Sequence, residues 1–421
     1  MGRNTEIAII GAGPYGLSLA AHLTRFTADF RIFGSPMETW LTAMPRGMCL
    51  KSEGFASNLY DPEGALTLER YCADHGLPYA DLGEPIPLET FAAYGIAFQK
   101  RFVPNLEQTK VTHIAPAEGG GYVLTLSDGE QFRAQRVVIA SGIRSYGQIP
   151  PELAGLPADI VTHSSDHADL SGFAGKKVIV VGAGGSAIDI AAILVEKKAE
   201  VTVVTRAPKI LFQEPPAERT LYQKLRWPMT GLGPSWKSLF ACEAPLLIHA
   251  LPSAWRIGFV KRHLGPAPPW FTREQVEGRI THHGSSSITN VAARDRRAVV
   301  TISGPHGETG VEADHVICGT GYRVDLCRLG FLGPEILDAL AYTDQAPKLN
   351  GRFESSLPGL YFIGAAAANS FGPLLRFAFG AGYTARRLSR HLGASAAARM
   401  RPASETTPAI AALDEHLRKA G

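Results

Sequence analysis

The chain has 421 residues, 45% apolar and 19% charged, which excludes a disordered or polyelectrolyte chain and predicts two domains or one elaborated one. Its formal charge of +3 at pH 7 excludes a nucleic-acid binder that relies on a broad basic face. The 44 glycines and 29 prolines exceed ordinary usage and follow no repeat period, so turns, caps or close backbone approaches must use them.

Taken in chain order, residues 6–10 read as a short apolar strand that enters Gly11-Ala12-Gly13-Pro14-Tyr15-Gly16 and then the helical pattern LSLAAHL. This is G-x-G-x-x-G between a strand and a helix. Gly11 serves the tight turn, Gly13 lets backbone approach a pyrophosphate, and Gly16 permits close helix–strand packing, while the helix start faces the anion with free N–H groups. Acidic Glu6 and the glycines argue against a signal peptide. The second strand, FRIF at 30–33, runs into Gly34-Ser35, and the acid expected on a ribose is missing; Ser35 is the candidate in its place. Residues 111–135 alternate as a hairpin, and residues 136–139 form a strand that ends on Ser141-Gly142.

A second copy of the pattern begins at residues 176–181, an apolar strand followed by Gly182-Ala183-Gly184-Gly185-Ser186-Ala187 and a helix. Asp189 interrupts the apolar run 179–195, and no stretch reads as a membrane span. The strand at 201–205 ends at Thr205-Arg206 with Lys209 close behind. Cations without an acid there select a 2′-phosphate, hence NADP(H) over NAD(H), against the plainer reading of solvated surface charges. Residues 210–275 interrupt this half with Pro, Trp and Phe and read as a helical insertion over a pocket; Trp227, Trp236, Trp255, Trp270 and Phe271 either roof it or pack in core. A second hairpin covers 285–312. Strand-then-glycine segments follow at His315 to Tyr322 (with Gly319, Thr320 and Gly321) and at Leu357 to Gly364, then a helix over 373–391. The tail 393–407 reads as loose, with a short helix after Pro408. Five cysteines, none in Cys-x-x-Cys, argue against a disulfide framework, a metal site or a dithiol redox centre, and fit a reduced cytoplasmic protein.

These features give an α/β fold of two Rossmann-like dinucleotide-binding domains, each with a small antiparallel β-meander. The expected division is residues 1–160 and 318–392 for the first dinucleotide, split around 161–317 for the second, with 393–421 as tail.

The two framed motifs, with CGTGY (318–322), HSSDH (163–167), GMCLKSEG (47–54) and LETFAAYGIAFQKRF (88–102), resemble the class B flavin monooxygenases: flavin-containing monooxygenases, Baeyer–Villiger enzymes and the lysine/ornithine N-hydroxylases. The resemblance covers most of residues 5–392. It departs at the F-x-G-x-x-x-H fingerprint, where Pro157 and Asp159 replace Phe and Gly and only His163 is kept. Gly364-Ala365 replaces the usual Gly-Asp, and FGPLLRF (371–377) is similar to bacterial relatives that include a flavin-dependent urate hydroxylase.

The resemblance implies FAD at the first motif and NADPH at the second. It also implies transfer of one oxygen atom from O2, through a C4a-peroxyflavin, to a small substrate, with N-hydroxylation of an amine or N-heterocycle foremost. S-oxidation, urate-like ring hydroxylation, Baeyer–Villiger oxidation and a ferredoxin-reductase-like electron transferase remain alternatives. Lys51, His163, Asn369 and Arg376 are the implied catalytic candidates. Each has a plain counterpart: a surface lysine, a structural turn, or a cap or salt bridge. Trp40 and Phe371 join the glycines as cofactor contacts. No metal, nucleic acid or membrane is expected, and a homodimer is the commonest closed assembly.

Overall fold

The computed structural model describes residues 3–263 and 267–400, the last six as backbone only. The first half opens with β1 (Thr5–Ile10), α1 (Pro14–Leu23), β2 (Phe30–Phe33) and α2 (Glu38–Thr42). After α3 (Leu68–His75) and α4 (Leu88–Phe102) comes the meander β3 (Val111–Pro116), β4 (Tyr122–Leu126) and β5 (Gln131–Ile139). The parallel part pairs β2 with β1 and β1 with β5, and the paired ends Ile9-Ile10, Ile32-Phe33 and Val137–Ile139 are apolar and buried. The hairpin and the strand read separately from sequence are one continuous β5. Its first residues pair antiparallel with β4, and Val137–Ile139 pair parallel with a strand from far down the chain.

The second half contains β6 (Val161–His163), β7 (Lys177–Val181), α5 (Gly185–Glu196) and β8 (Glu200–Val204). A run of short helices follows: α6 (Leu221–Arg226), α7 (Trp236–Glu243), α8 (Pro245–Ala250), α9 (Ser253–Arg262) and α10 (Arg273–Val276). Then come β9 (Thr281–His283), the meander β10 (Ser287–Arg294), β11 (Arg297–Gly304) and β12 (Gly307–Ala313), and β13 (His315–Cys318). The parallel order is β6-β13-β7-β8-β9, so β13 returns between β6 and β7 and brings Gly319–Tyr322 to the end of the sheet where the second glycine turn lies. The meander forms its own three-stranded sheet, with an irregularity between Ile288 and Asn290.

The chain then passes α11 (Pro334–Ala339), the hairpin β14 (Tyr342–Thr343) and β15 (Ala346–Pro347), and β16 (Leu360–Phe362), the distant partner of β5. It closes with α12 (Ala368–Phe371) and α13 (Gly380–Met400). The insertion folds back on this last stretch. Ile248 and Val260 are buried, the His249 ring stacks on Phe371 at 4.9 Å, and Arg376 Nη1 donates to the Val260 carbonyl at 3.1 Å.

Two expectations change. The helix predicted over 373–391 begins only at Gly380, after a 3-10 turn at Pro373–Arg376, because Gly372 at φ +94° breaks the path. It then continues to Met400, through part of the expected loose tail, since alanine-rich GASAAARM favours helix and contains no proline. The remaining tail, including the expected helix after Pro408, lies outside the described residues. No helix among the described residues is long and apolar enough to cross a membrane.

Candidate functional site

The first turn follows its glycine logic atom by atom. Gly11 sits at φ +117°, and a Cβ there would lie 2.2 Å from the Ala140 carbonyl oxygen at the end of β5. At Gly16 a Cβ would lie 1.9 Å from the Gly11 carbonyl oxygen. Gly13 is different: nothing lies within 4 Å of its missing side chain. It N-caps α1 without a side-chain cap, and Pro14 takes the first helical position, where no N–H is lost from the ladder. The α1 start therefore offers unpaired N–H groups beside an open face, the geometry that holds a phosphate. Ser141 and Gly142 follow at the end of β5, with the Ser141 nitrogen 3.4 Å from the same hypothetical Gly11 Cβ. Gly364, at φ +71°, packs against Tyr15, whose hydroxyl donates to the Phe377 carbonyl at 2.8 Å and so ties α1 to the last segment of the chain. Tyr15 carried no sequence signal beyond its place in the turn.

Ser35 lies beyond β2, next to Gly34 at φ +128°, which packs on the Gly11–Ala12 backbone. The first acid after it is Glu38 in α2, overlooked in the sequence, whose carboxylate faces Lys110 at 3.3 Å and Arg144 at 3.8 Å. Trp40, in the same helix, packs edge-on against Phe91 at 4.8 Å and lies between the cores of the two halves.

The second turn repeats the device. Gly182 at φ +132° would place a Cβ 2.4 Å from the Gly319 carbonyl, and Gly319 in turn would strike Ala187 at 2.5 Å. The alanine at the third motif position thus packs directly on the crossover glycine. Gly184 N-caps α5, again without a side-chain cap. At the end of β8, Arg206 and Lys209 are exposed and make no hydrogen bond or ion pair among the described residues. Thr205 beside them is locked, bonding the Ala207 carbonyl at 2.7 Å and His282 Nε2 at 2.8 Å.

The halves meet at Lys51. Its side chain crosses Gly185, where any Cβ would fall 2.1 Å from Lys51 Cε, and its Nζ lies 2.5 Å from Asp189 Oδ2. Asp189 is 3% exposed, and burial raises its pKa against the opposing pull of Lys51. The sequence signal for this partner was a lone charge within an apolar helical run. A narrow cleft beside the pair is lined by Met44, Met48, Ser164, Ser186, Asp189 and Tyr322.

His163 stands behind Tyr322, edge-on at 5.1 Å. It is only 4% exposed. Its Nδ1 lies 2.8 Å from Ser165 Oγ and its Nε2 3.1 Å from the Gly321 carbonyl, and burial lowers its pKa. With both nitrogens engaged it anchors the Thr320–Gly321 crossover, where Thr320 Oγ1 also bonds the Gln148 carbonyl. The structure places His163 behind Tyr322 and off the cleft lining, where a catalytic contact was expected.

Asn369 and Arg376 lie apart from the cleft lining. Asn369 Nδ2 donates to the Thr343 carbonyl at 3.2 Å. Arg376 is solvent-accessible yet walled in by protein, which lowers its pKa. The expectation for Phe371 is corrected. It is 0% exposed, stacked between Phe353 at 4.2 Å and His249 at 4.9 Å, and belongs to the core rather than to a cofactor face. The predicted tryptophan roof divides: Trp227, Trp236 and Trp255 are exposed, while Trp270 and Phe271 are half-buried against each other.

Comparison with known proteins places this geometry. Across 207 residues the chain is 27% identical to an indole-3-pyruvate monooxygenase of Oryza sativa subsp. japonica, covering 47% of each. Across 213 residues it is 29% identical to the FAD-dependent urate hydroxylase of Xanthomonas campestris pv. campestris, covering 47% of this chain and 45% of that one. The chain thus spans just under half the length of these two relatives. In fold it is similar to the ornithine N-hydroxylase of Kutzneria sp. 744, with a TM-score of 0.73, 14% identity, and coverage of 93% of this chain and 100% of that one. The fold is therefore the one flavin monooxygenases use. The profile of one oxidoreductase family matches residues 8–223, just over half of the chain and both glycine turns. The chain belongs to the pyridine nucleotide-disulphide oxidoreductase family.

Proposed function

We propose that this chain is an NADPH- and O2-dependent FAD monooxygenase that places one oxygen atom on a small substrate, with the nitrogen of an amine or N-heterocycle as acceptor. The observation that carries this reading is the pair of glycine turns at uncapped helix starts, the first open at Gly13 and the second followed by two unpaired cations. The five free cysteines, with no pair among them, support an oxygenase over a dithiol reductase in this family and suit a reducing, cytoplasmic setting. The likeness to an ornithine N-hydroxylase over nearly the whole chain supports nitrogen as the acceptor.

In this reading the turn at Gly11, Gly13, Pro14 and Gly16 holds the FAD pyrophosphate, with Ser35 or Glu38 on the ribose and Gly142 and Gly364 admitting the cofactor close to backbone. Gly182, Gly184, Gly185, Ser186 and Ala187 hold NADPH, and Arg206 with Lys209 takes its 2′-phosphate. FAD, when bound, supplies the hydride acceptance from NADPH and the activation of dioxygen. The side chains position and shield. Lys51 pins the segment near residues 47–54 to α5, which fixes the separation of the two cofactor sites. His163 holds the Gly319–Tyr322 crossover in place. Arg376, a cation without a carboxylate partner among the described residues, favours negative charge on a reduced flavin.

The test is NADPH oxidation by the FAD-loaded protein across a panel of amines and N-heterocycles, with hydroxylated product and released peroxide both measured. Substrate-stimulated oxidation with product supports the reading. Oxidation that proceeds only with a protein electron acceptor replaces it with the electron-transferase alternative.

A further inference from the structure

The helical insertion leaves an uncovered apolar surface. Of the sixteen large apolar side chains that stand exposed among the described residues, eleven fall between Leu211 and Trp255. Their combined exposed area is on the order of 1,000 Å2.

The surface has two parts. Helix α6 buries none of its six residues, although Leu221 (80% exposed), Tyr222 and Leu225 lie on it and Trp227 follows it. A helix of this length gains little from its own hydrogen bonds in water or from its capping box at Thr220 and Gln223, so an apolar partner is needed to hold it. The second part is the outer side of α7–α9. These helices turn Ala241, Ile248 and Val260 inward, and they leave Trp236, Leu247 and Trp255 (72% exposed) outward. One molecule therefore carries both an apolar arm that packs on nothing and an apolar face that nothing covers.

We propose that the occupant is a second copy of this chain: α6 of each protomer lies on the α7–α9 face of the other. Such an exchange is reciprocal, arm to face and face to arm, and closes as a two-fold dimer without leaving a sticky edge. The available area exceeds the ~800 Å2 per partner of a standard interface. Because α7–α9 pack through their inner side on α12 and Arg376, the partner's arm also braces the insertion against the last segment of the chain. This inference does not depend on the proposed reaction.

The test uses the full-length, FAD-loaded protein in analytical ultracentrifugation at about 10 µM. Wild type should sediment with twice the chain mass of 45.1 kDa. An arm variant, Leu221→Glu with Leu225→Glu, and a face variant, Leu247→Glu with Trp255→Glu, should each be monomeric, with bound flavin showing that they fold. Mixing them should restore a heterodimer, because one sound arm then meets one sound face, and only that pairing restores it. A monomeric wild type overturns the proposal, whether it stays free or co-sediments with anionic phosphatidylglycerol vesicles. So does a dimer that survives the arm variant, or a mixture that remains monomeric.

Discussion

Replacing Gly13 by alanine should separate cofactor binding from folding. Gly13 adopts φ −87° and ψ −173°, which alanine reaches without strain, and no protein atom lies within 4 Å of the new methyl group. The apoprotein should therefore keep its stability or gain ~0.4–1 kcal/mol through a less flexible unfolded chain. The same methyl group occupies the face where a pyrophosphate would meet the α1 N–H groups. Loss of one charge-assisted hydrogen bond, about 1.5–3 kcal/mol, should weaken FAD binding by roughly 10- to 150-fold. Gly11→Ala and Gly16→Ala differ in kind. Their methyl groups would lie 2.2 Å and 1.9 Å from backbone oxygens, so backbone must move and roughly 3 kcal/mol or more of stability should be lost before any cofactor is added. The assay is urea unfolding of flavin-stripped protein, which removes the stabilisation a bound ligand supplies, together with FAD titration by fluorescence quenching. Wild-type FAD affinity in the Gly13 variant, or an apoprotein as unstable as the Gly11 variant, would refute the reasoning.

Three further outcomes follow. Arg206→Ala should lower kcat/KM for NADPH about tenfold, with little change for NADH, since one exposed charge-assisted contact to a 2′-phosphate is worth ~1.4 kcal/mol; an unchanged NADPH/NADH ratio would remove Arg206 from that role. Lys51→Met should cost about 2–3 kcal/mol in urea unfolding by leaving Asp189 buried without its counter-charge, and adding Asp189→Asn should recover most of it; a neutral Lys51 variant would contradict the pair's importance. His163, His167 and His315 are all held below the usual imidazole range by burial, His315 at about 4, and the last two share Thr162 Oγ1 at 2.6 and 2.8 Å. The unfolded chain therefore takes up protons that the folded one refuses. Stability should be full above about pH 6.5 and fall towards pH 4, by ~1.4 kcal/mol per pH unit for each such proton. His315→Asn should make that fall shallower, and an equally steep profile would exclude His315 as a source.

Both phosphate-binding turns were legible in the sequence because each is local. The glycine spacing lies within six residues and strand and helix periodicities frame the turn on either side, although the atoms that exclude a side chain at Gly11 and Gly182 come from Ala140 and Gly319. The parallel strands were legible for a similar reason, as apolar runs. What joins the halves was not. Lys51 and Asp189 lie far apart in the chain, and no period links a lysine in a loop to a carboxylate in a helix. His163 shows a related limit: its residue type suits catalysis, but only the fold reveals that Ser165 and Gly321 already occupy its two nitrogens. Phe371 was misplaced because its neighbours in sequence line the last segment, whereas its stacking partners, His249 and Phe353, come from the insertion and from before β16. The insertion itself was foreseen as aromatic and helical, yet which of its tryptophans face outward depends on packing against α12.

The most direct test of the central claim is oxygen-isotope transfer. The FAD-loaded protein is supplied with NADPH, 18O2 and an amine that stimulates NADPH oxidation, and the product is weighed by mass spectrometry. The account predicts one 18O atom per product molecule, formed in step with NADPH consumed. Product without the label, or NADPH oxidation that yields only peroxide or a reduced protein acceptor across the whole panel, would contradict it.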